Sequence, residues 1–450
     1  MTTEERKRRA YKLFRSGEPD QALTIVSALL NENPEDVTAL FMAAEILGAA
    51  HRHGLAEPLY RRILELDPTL SAAWNNLGLC HHKAEKIDEG IECYIKSLRY
   101  GGDDFEPYNN LTLMNTVRGD HENALRLHKR ALFFARNADD LKTARSNATL
   151  SHLSLRHWEE GWPAFELMLD TLKQRKKRSF GVPDWDGQPV DGMIAVYGEQ
   201  GLGDEIMFAS MIPDMIEAGH APVIECDPRL ENLYRRSFNC PVFGTRHERM
   251  PGWVYSMPLQ AKAAVGSLAQ FYRLKEPFPK RAYLKPDPIR RKHIREALDK
   301  LPGRKIGIAW TGGIFSTRQR DRSLTPELLK PLFALPGITW VSLEYKGDAV
   351  PGVIHWPEIT QSKDYDDTAA LVAELDHVVS VTTTVALLCG AIGKPCDVVV
   401  PEHPTWHWAE YGDMPWYDCL RLWRRDGVSW EPLLARLSAH LVTPERMAAQ

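Results

Sequence analysis

The sequence has no run of about 18 or more apolar residues, so no helical membrane span is expected. It has no surplus of basic charge: 56 Lys and Arg face 60 Asp and Glu, a net charge of -4. A general nucleic-acid binder would need such a surplus. Cysteine is scarce and odd in number, with seven residues and no CxxC pair. That argues against a disulfide framework and fits reduced thiols in a cytoplasm. There is no HExxH, no Walker A loop and no GxSxG elbow. The stretch from Met1 to Arg9 is charged and has no apolar centre, so no signal peptide is read there. What is present is the composition of a soluble globular protein, 44% hydrophobic and 26% charged. At 450 residues, the chain is long enough for two or three domains.

The first third repeats. Ala22, Ala56, Gly90 and Ala124 stand 34 residues apart, as do Leu40, Trp74 and Tyr108, and Pro34 and Pro68. Trp74-Asn-Asn-Leu77-Gly78-Leu-Cys-His81 matches the tetratricopeptide (TPR) pattern W-x2-L-G-x2-Y, with His81 where Tyr is usual. Small residues at this step let two antiparallel helices approach closely. Aromatic and leucine positions fill the space between neighbours. One such pair cannot bury its own apolar face, so several must stack into a solenoid. Asp67-Pro68 ends a repeat, because Pro cannot continue the preceding helix. Arg145 to Ala148 and Gly161-Trp162 echo the pattern three residues late, which predicts a closing helix pair around 140–172. The array is therefore read over 1–172. Its expected role is to bind a protein partner along an extended surface; bracketing or dimerising the rest of the chain is the alternative. Asn75, Asn76, Asn109 and Asn110, with Asn147, recur at equivalent positions. As acceptor-binding residues their amides could clamp a peptide backbone; the alternative is helix capping or plain solvation.

Residues 173–190 read as a linker, with the basic run Lys173 to Arg178 as a solvated segment. The character then changes to short apolar runs broken by Gly and Pro. Met193–Tyr197, Ala221–Cys226, Lys305–Trp310, Ile338–Leu343, His377–Val381 and Asp397–Val400 read as buried strands, with helical patterns between several of them. This alternation argues for parallel sheets, in two sets over 191–290 and 300–442, joined through the proline-rich Lys285-Pro-Asp-Pro288. Ligands of such sheets bind beyond the carboxyl ends of the strands.

The motifs fall at those ends. Gly198-x2-Gly201-x-Gly203-Asp204 joins a strand to a helix, where glycines allow close backbone approach and the helix start offers N–H groups. Asp204 alone would pass for a first-turn acid favoured by the helix dipole. Thr382-Thr383-Thr384 opens another helix and makes a diphosphate cradle or, more simply, an N-cap. Arg318, Arg320 and Arg322 follow Trp310-Thr311-Gly-Gly313; clustered guanidiniums suit phosphates, although a solvated loop reads the same. His403, Trp406, His407 and Trp408 form an aromatic and imidazole cluster placed for base or sugar stacking. Asp364-Tyr365-Asp366 has the DxD spacing of some metal-using transferases, but it runs into an amphipathic helix and N-capping is the better use.

Taken in order, Asp184-Trp-Asp-Gly187, Gly198 to Asp204, Asp321-Arg322-Ser323, Asp367-Thr-Ala-Ala-Leu371, Gly390-Ala-x-Gly393-Lys-Pro395 and Pro415-Trp-Tyr417 carry a resemblance over about 1–440. The chain resembles the bacterial TPR-containing glycosyltransferases related to family 9, which includes the ADP-heptose:lipopolysaccharide heptosyltransferases. The resemblance implies a TPR solenoid followed by a GT-B pair of Rossmann-like α/β domains. It implies inverting, metal-independent transfer from a nucleotide sugar, which is a substrate; no cofactor is implied. Asp204 falls on the family's general base. Arg322 falls near the residue that meets the donor phosphates, and Thr382, Thr383 and Thr384 fall on the phosphate-facing loop. Gly201, Gly203, Thr311 and Trp406 complete the donor-binding set. The acceptor would be a protein held by the array, with a flagellin-like protein as one case, or else a glycan or lipopolysaccharide. The chain departs from the family at one loop: Thr382 replaces its Asp and Leu387 its His. That departure leaves open a different donor sugar, or a degenerate transferase acting as a binding scaffold.

Overall fold

A 34-residue step of small residues dictates how the first helices meet. In the computed structural model, residues 1–169, 175–313, 319, 322–408, 412–425, 427 and 429–442 are described. The chain forms two compact units, Met1–Leu155 and the remainder from Arg156. The first unit is a TPR solenoid. Its helices are α1 (Thr3–Arg15), α2 (Pro19–Glu32), α3 (Val37–Ala49), α4 (His53–Leu66), α5 (Ser71–Lys83), α6 (Ile87–Gly101), α7 (Phe105–Arg118), α8 (His121–Phe134) and α9 (Ala138–Ser154). Asp36, Asp120 and Asn137 accept first-turn N–H groups of α3, α8 and α9, which fixes where those helices begin. Asp67-Pro68 lies in the turn between α4 and α5, as the proline demands.

Ala22, Ala56 and Ala124 are fully buried. Gly78 marks the tightest approach: a Cβ there would stand 2.7 Å from the buried Tyr94 ring of α6. Replacing Gly by Ala inside a helix gains up to ~1 kcal/mol of propensity. Overpacking costs about 1–3 kcal/mol, and the Tyr94 ring is fully buried. Gly78→Ala is therefore expected to destabilise the solenoid by about 1 kcal/mol net, read as a lower urea midpoint. An unchanged or raised midpoint would show that the ring yields freely.

The expected closing helix pair is divided between the units. α9 ends the solenoid, whereas α10 (Trp158–Leu167) belongs to the second unit. The cause is its aromatic face: Trp158 and Trp162 pack on Phe278, Phe208 and Trp416.

The second unit is α/β, with two all-parallel sheets. The first has order β3-β2-β1-β4, from β1 (Met193–Tyr197), β2 (Ala221–Glu225), β3 (Val242–Phe243) and β4 (Leu259–Ala264). α11 (Leu202–Phe208) and α12 (Ile212–Glu217) follow β1, α13 (Glu231–Ser237) follows β2, and α14 (Ala269–Tyr272) follows β4. α15 (Pro288–Leu298) leads into the second sheet. Its strands are β5 (Arg304–Ala309), β6 (Ile338–Ser342), β7 (Val353–Ile354), β8 (His377–Val381), β9 (Cys396–Val400) and β10 (Leu420–Arg424), in the order β10-β9-β8-β5-β6-β7. The remaining helices are α16 (Pro326–Phe333), α17 (Pro357–Thr360), α18 (Tyr365–Glu374), α19 (Thr384–Ile392) and α20 (Glu431–Val442). Ile306, Ile308, Trp340, Val379 and Val399 form the core of this sheet with Leu434 and Leu437 of α20. Among the described residues no helix is long and apolar enough to cross a membrane.

The basic run ahead of β1 is not the solvated segment its charge suggests. Lys173 and Gln174 lie outside the described residues, but Arg175 is buried and pairs with Glu199. Arg178 donates twice to the buried Glu225, at 2.8 and 2.6 Å. A buried carboxylate needs a partner, and this segment supplies two. Asp184 and Trp185 then clip to β4 through Lys262, whose Nζ donates to Asp184 at 2.7 Å.

Candidate active site

Both sheets send their strand-to-helix loops to their carboxyl edges, and two of these loops touch. On the first sheet, Gly198 has no room for a side chain, since a Cβ would lie 2.2 Å from the Glu205 carboxylate. Gly201 is the N-cap of α11. Gly203 packs against the start of α19, where a Cβ would stand 3.1 Å from both Thr384 Oγ1 and Leu387 Cδ1. That close approach is why position 203 holds glycine. It also gives Leu387 a packing role.

Asp204, in the first turn of α11, is half-buried. Burial pushes its carboxyl up to about 6, and the charge of Glu199 adds to the rise. Arg322, the Gly201 N–H and Arg246 pull the other way. A carboxyl held near 6 can take a proton at neutral pH. Its neighbours are fixed. Glu199 is buried, pairs with Arg175 at 3.3 Å and accepts from Gln200 at 3.2 Å. Glu205, pushed up to about 7 by burial against the opposing charge of Arg246, accepts from Arg246 at 2.8 Å and from the Asp227 N–H at 2.9 Å. Arg246 also donates to the Gln200 carbonyl, which pins the glycine loop.

On the second sheet, Thr382, Thr383 and Thr384 follow β8. Thr382 is buried; its hydroxyl accepts from Arg322 Nε at 3.2 Å and its carbonyl accepts from Arg322 Nη2. Thr383 occupies the N-cap of α19 but does not cap it; its hydroxyl bonds to Ser380 Oγ at 2.9 Å. Thr384 begins α19 beside Gly203. The Thr311 N–H donates at 2.9 Å to the buried Glu344, which also takes the Trp310 N–H at 2.6 Å. Glu344 thereby sets the course of the loop after β5. Arg318 and Arg320 lie outside the described residues. Trp406 stacks on Phe208 of α11, 6.2 Å between centroids, and meets Trp162 edge-on at 5.5 Å. It is thus part of an aromatic cluster behind the glycine loop. His407 is buried beside it, with its imidazole pushed down to about 3 by burial and by Arg322.

The structure thus brings Asp204, Gly203, Thr384, Arg322 and Thr382 together, with Gly201 beside them. Glu199 and Arg246 belong to the same site. Glu199 lay inside the glycine motif; Arg246, 41 residues beyond its partner Glu205, has no local signal. Asp364 caps α18, accepting from the Asp366 N–H at 3.1 Å, and pairs with Arg290 at 2.7 Å. Asp366 is buried against Arg236 at 2.6 Å.

The amides of the solenoid form their own ladder. Asn110 donates to Asn75 at 3.1 Å, Asn147 to Asn109 at 3.0 Å, and Asn76 to the Tyr60 hydroxyl at 3.2 Å. They lie within α5, α7 and α9 and cap none of them. The first two bonds link equivalent helices of successive repeats, α7 to α5 and α9 to α7, and the third joins α5 to α4.

Residues 8–71 and 59–92 match tetratricopeptide repeat families. A thermophilic TPR protein of Thermus thermophilus is 17% identical, with a TM-score of 0.32, over 37% of this chain and 90% of that one. The tetratricopeptide repeat-containing protein trd-1 of Caenorhabditis elegans is 28% identical over 144 residues, 26% of this chain and 19% of that protein. Protein FlbA of Caulobacter vibrioides is 30% identical over 463 residues, spanning 95% of this chain and 76% of its own length. That match runs through both units, the solenoid and the α/β sheets alike, and the chain belongs to the same family as Protein FlbA.

Proposed function

We propose that the second unit is a GT-B glycosyltransferase, and that the solenoid recruits its protein acceptor. The observation that carries this reading is Asp204. It is a half-buried carboxyl held near 6, seated on a glycine loop against the start of α19 and within the field of Arg322. In the proposed reaction Asp204 takes the proton from an acceptor hydroxyl as that oxygen attacks the anomeric carbon of a nucleotide sugar, with inversion. Arg322 and the first-turn N–H groups of α19 offset the charge that develops on the departing nucleoside diphosphate. Asp364 and Asp366 are committed to Arg290 and Arg236, which supports a reading without a metal at that motif. A flagellin-like protein hydroxyl is the proposed acceptor class. The solenoid is the part of the molecule that supports a protein rather than a glycan.

One observation favours a second reading, a scaffold without catalysis. Arg322 donates to the hydroxyl and carbonyl of Thr382, the position where the resembled family has an acid.

A thermal-shift screen against nucleoside diphosphates and nucleotide sugars separates the two. A ligand at 100 times its Kd adds about 2.7 kcal/mol to the native state, on the order of 5 °C for a unit of this size. One nucleotide is expected to stand out, and Arg322→Ala to remove its effect. Silence from every nucleotide at millimolar concentration would leave the scaffold.

A further inference from the structure

His407 lies in the 3-10 turn Trp406–Trp408 that follows β9. The carboxyl ends of β8 and β9 are neighbours, with Val381 opposite Val399, so this turn and the threonine loop share one edge of the sheet. The residue is only 8% exposed, yet its Nδ1 has no hydrogen-bond partner among the described residues. Its Nε2 meets the Thr405 hydroxyl at 3.4 Å. Arg322 lies close enough for its charge, with burial, to keep the ring neutral. A neutral imidazole carries one proton. Nε2 can accept from that hydroxyl or donate to it; in the first tautomer the proton lies on Nδ1, the buried nitrogen without a partner among the described residues. Arg322 in turn is bonded to Thr382, two residues ahead of α19, and among the described residues no side chain caps that helix. A guanidinium, uncapped helix N–H groups and, in that tautomer, an imidazole N–H share one sheet edge, and all are donors. The ligand chemistry they share is an oxyanion.

We propose that His407 is a ligand of the donor's diphosphate group. Its neutral Nδ1–H donates to a phosphate oxygen that Arg322 and the start of α19 also hold. The inference rests on the transferase reading and adds to it a residue, a tautomer and the atom that makes the bond.

The test is calorimetric titration of the full-length chain with inorganic pyrophosphate. Asn places an amide N–H where Nδ1 stands, and Gln places one where Nε2 stands. His407→Asn is expected to bind within about threefold of the unmodified protein, and His407→Gln about tenfold or more weakly, as for a hydrogen bond to a charged group. In the unmodified chain with 15N-labelled histidine, the Nδ1 resonance of His407 is expected to move on adding pyrophosphate. Equal affinity in all three proteins, or retention by Gln with loss by Asn, overturns the proposal and leaves the transferase reading standing. A stationary Nδ1 resonance at saturating pyrophosphate does the same, whether or not the variants fold. Failure of the unmodified chain to bind both pyrophosphate and every nucleoside diphosphate overturns the two together.

Discussion

Asp204→Asn is expected to lower turnover in the proposed transfer by about 10²–10⁴-fold, the contribution of a general base, while the thermal shift given by the donor nucleotide is retained. The pH dependence follows from the carboxyl itself. Burial and Glu199 hold it near 6, so the base form accumulates above that pH. The rate of the unmodified protein should rise about tenfold per unit up to pH 6 and level off by about pH 7. Stability runs in the opposite sense. A carboxyl whose folded pKa lies above its ordinary 3.8 keeps its proton in the native state while the unfolded chain has lost it. Native stability therefore falls as pH rises from about 4 to about 6. Asn cannot ionise, so Asp204→Asn should melt higher than the unmodified protein at pH 7 and no higher near pH 3.5. Lost turnover with raised stability would be hard to attribute to misfolding. Full turnover in the variant would remove Asp204 from the mechanism.

What the sequence reveals depends on whether a residue's role is set by its neighbours in the chain. Ala22, Ala56, Gly90 and Ala124 announce the solenoid because each repeat poses the same packing problem 34 residues later. Met193–Tyr197 and His377–Val381 are legible strands because a parallel strand covered on both faces reads as a near-continuous apolar run. β4 is not legible: Leu259–Ala264 is alanine-rich and carries Lys262, whose ammonium is satisfied by Asp184 and the Val182 carbonyl, 78 and 80 residues away. β10 alternates leucine with Arg421, Trp423 and Arg424 and is too short to stand out. The same division runs through the site. Asp204 and the three threonines sit at strand-to-helix junctions, where a parallel sheet must present its loops. Arg175 sits in a run whose local charge says solvent, and Glu199, 24 residues away, together with Phe165 decides otherwise.

Trp162→Ala is expected to destabilise the α/β unit by about 3–5 kcal/mol, the cost of emptying a buried tryptophan site. The residue is 2% exposed and stacks on Trp158 at 5.5 Å with an interplanar angle of 10°. It meets Trp406 at 5.5 Å, Trp416 at 6.3 Å and Phe208 at 6.4 Å, all edge-on. Its indole N–H donates to the Arg273 carbonyl at 2.8 Å, and losing that bond adds about 1 kcal/mol. Set against a total stability of about 5–15 kcal/mol, this is a large share. Trp162→Phe keeps most of the ring packing and should lose far less. The location of the damage is the stringent part. Gly161-Trp162 echoes the repeat of the solenoid, yet α10 packs in the unit that holds Asp204. Hydrogen exchange on Trp162→Ala should therefore show lost protection in β1 and α11 and unchanged protection in α1 to α6. Phe208 lies on the same short helix as Asp204 and against Trp162. Loosening that contact should lower turnover at temperatures where the unit is still folded. If protection falls instead in α7 to α9 while β1 and α11 hold, α10 belongs to the solenoid and the aromatic cluster does not support the base.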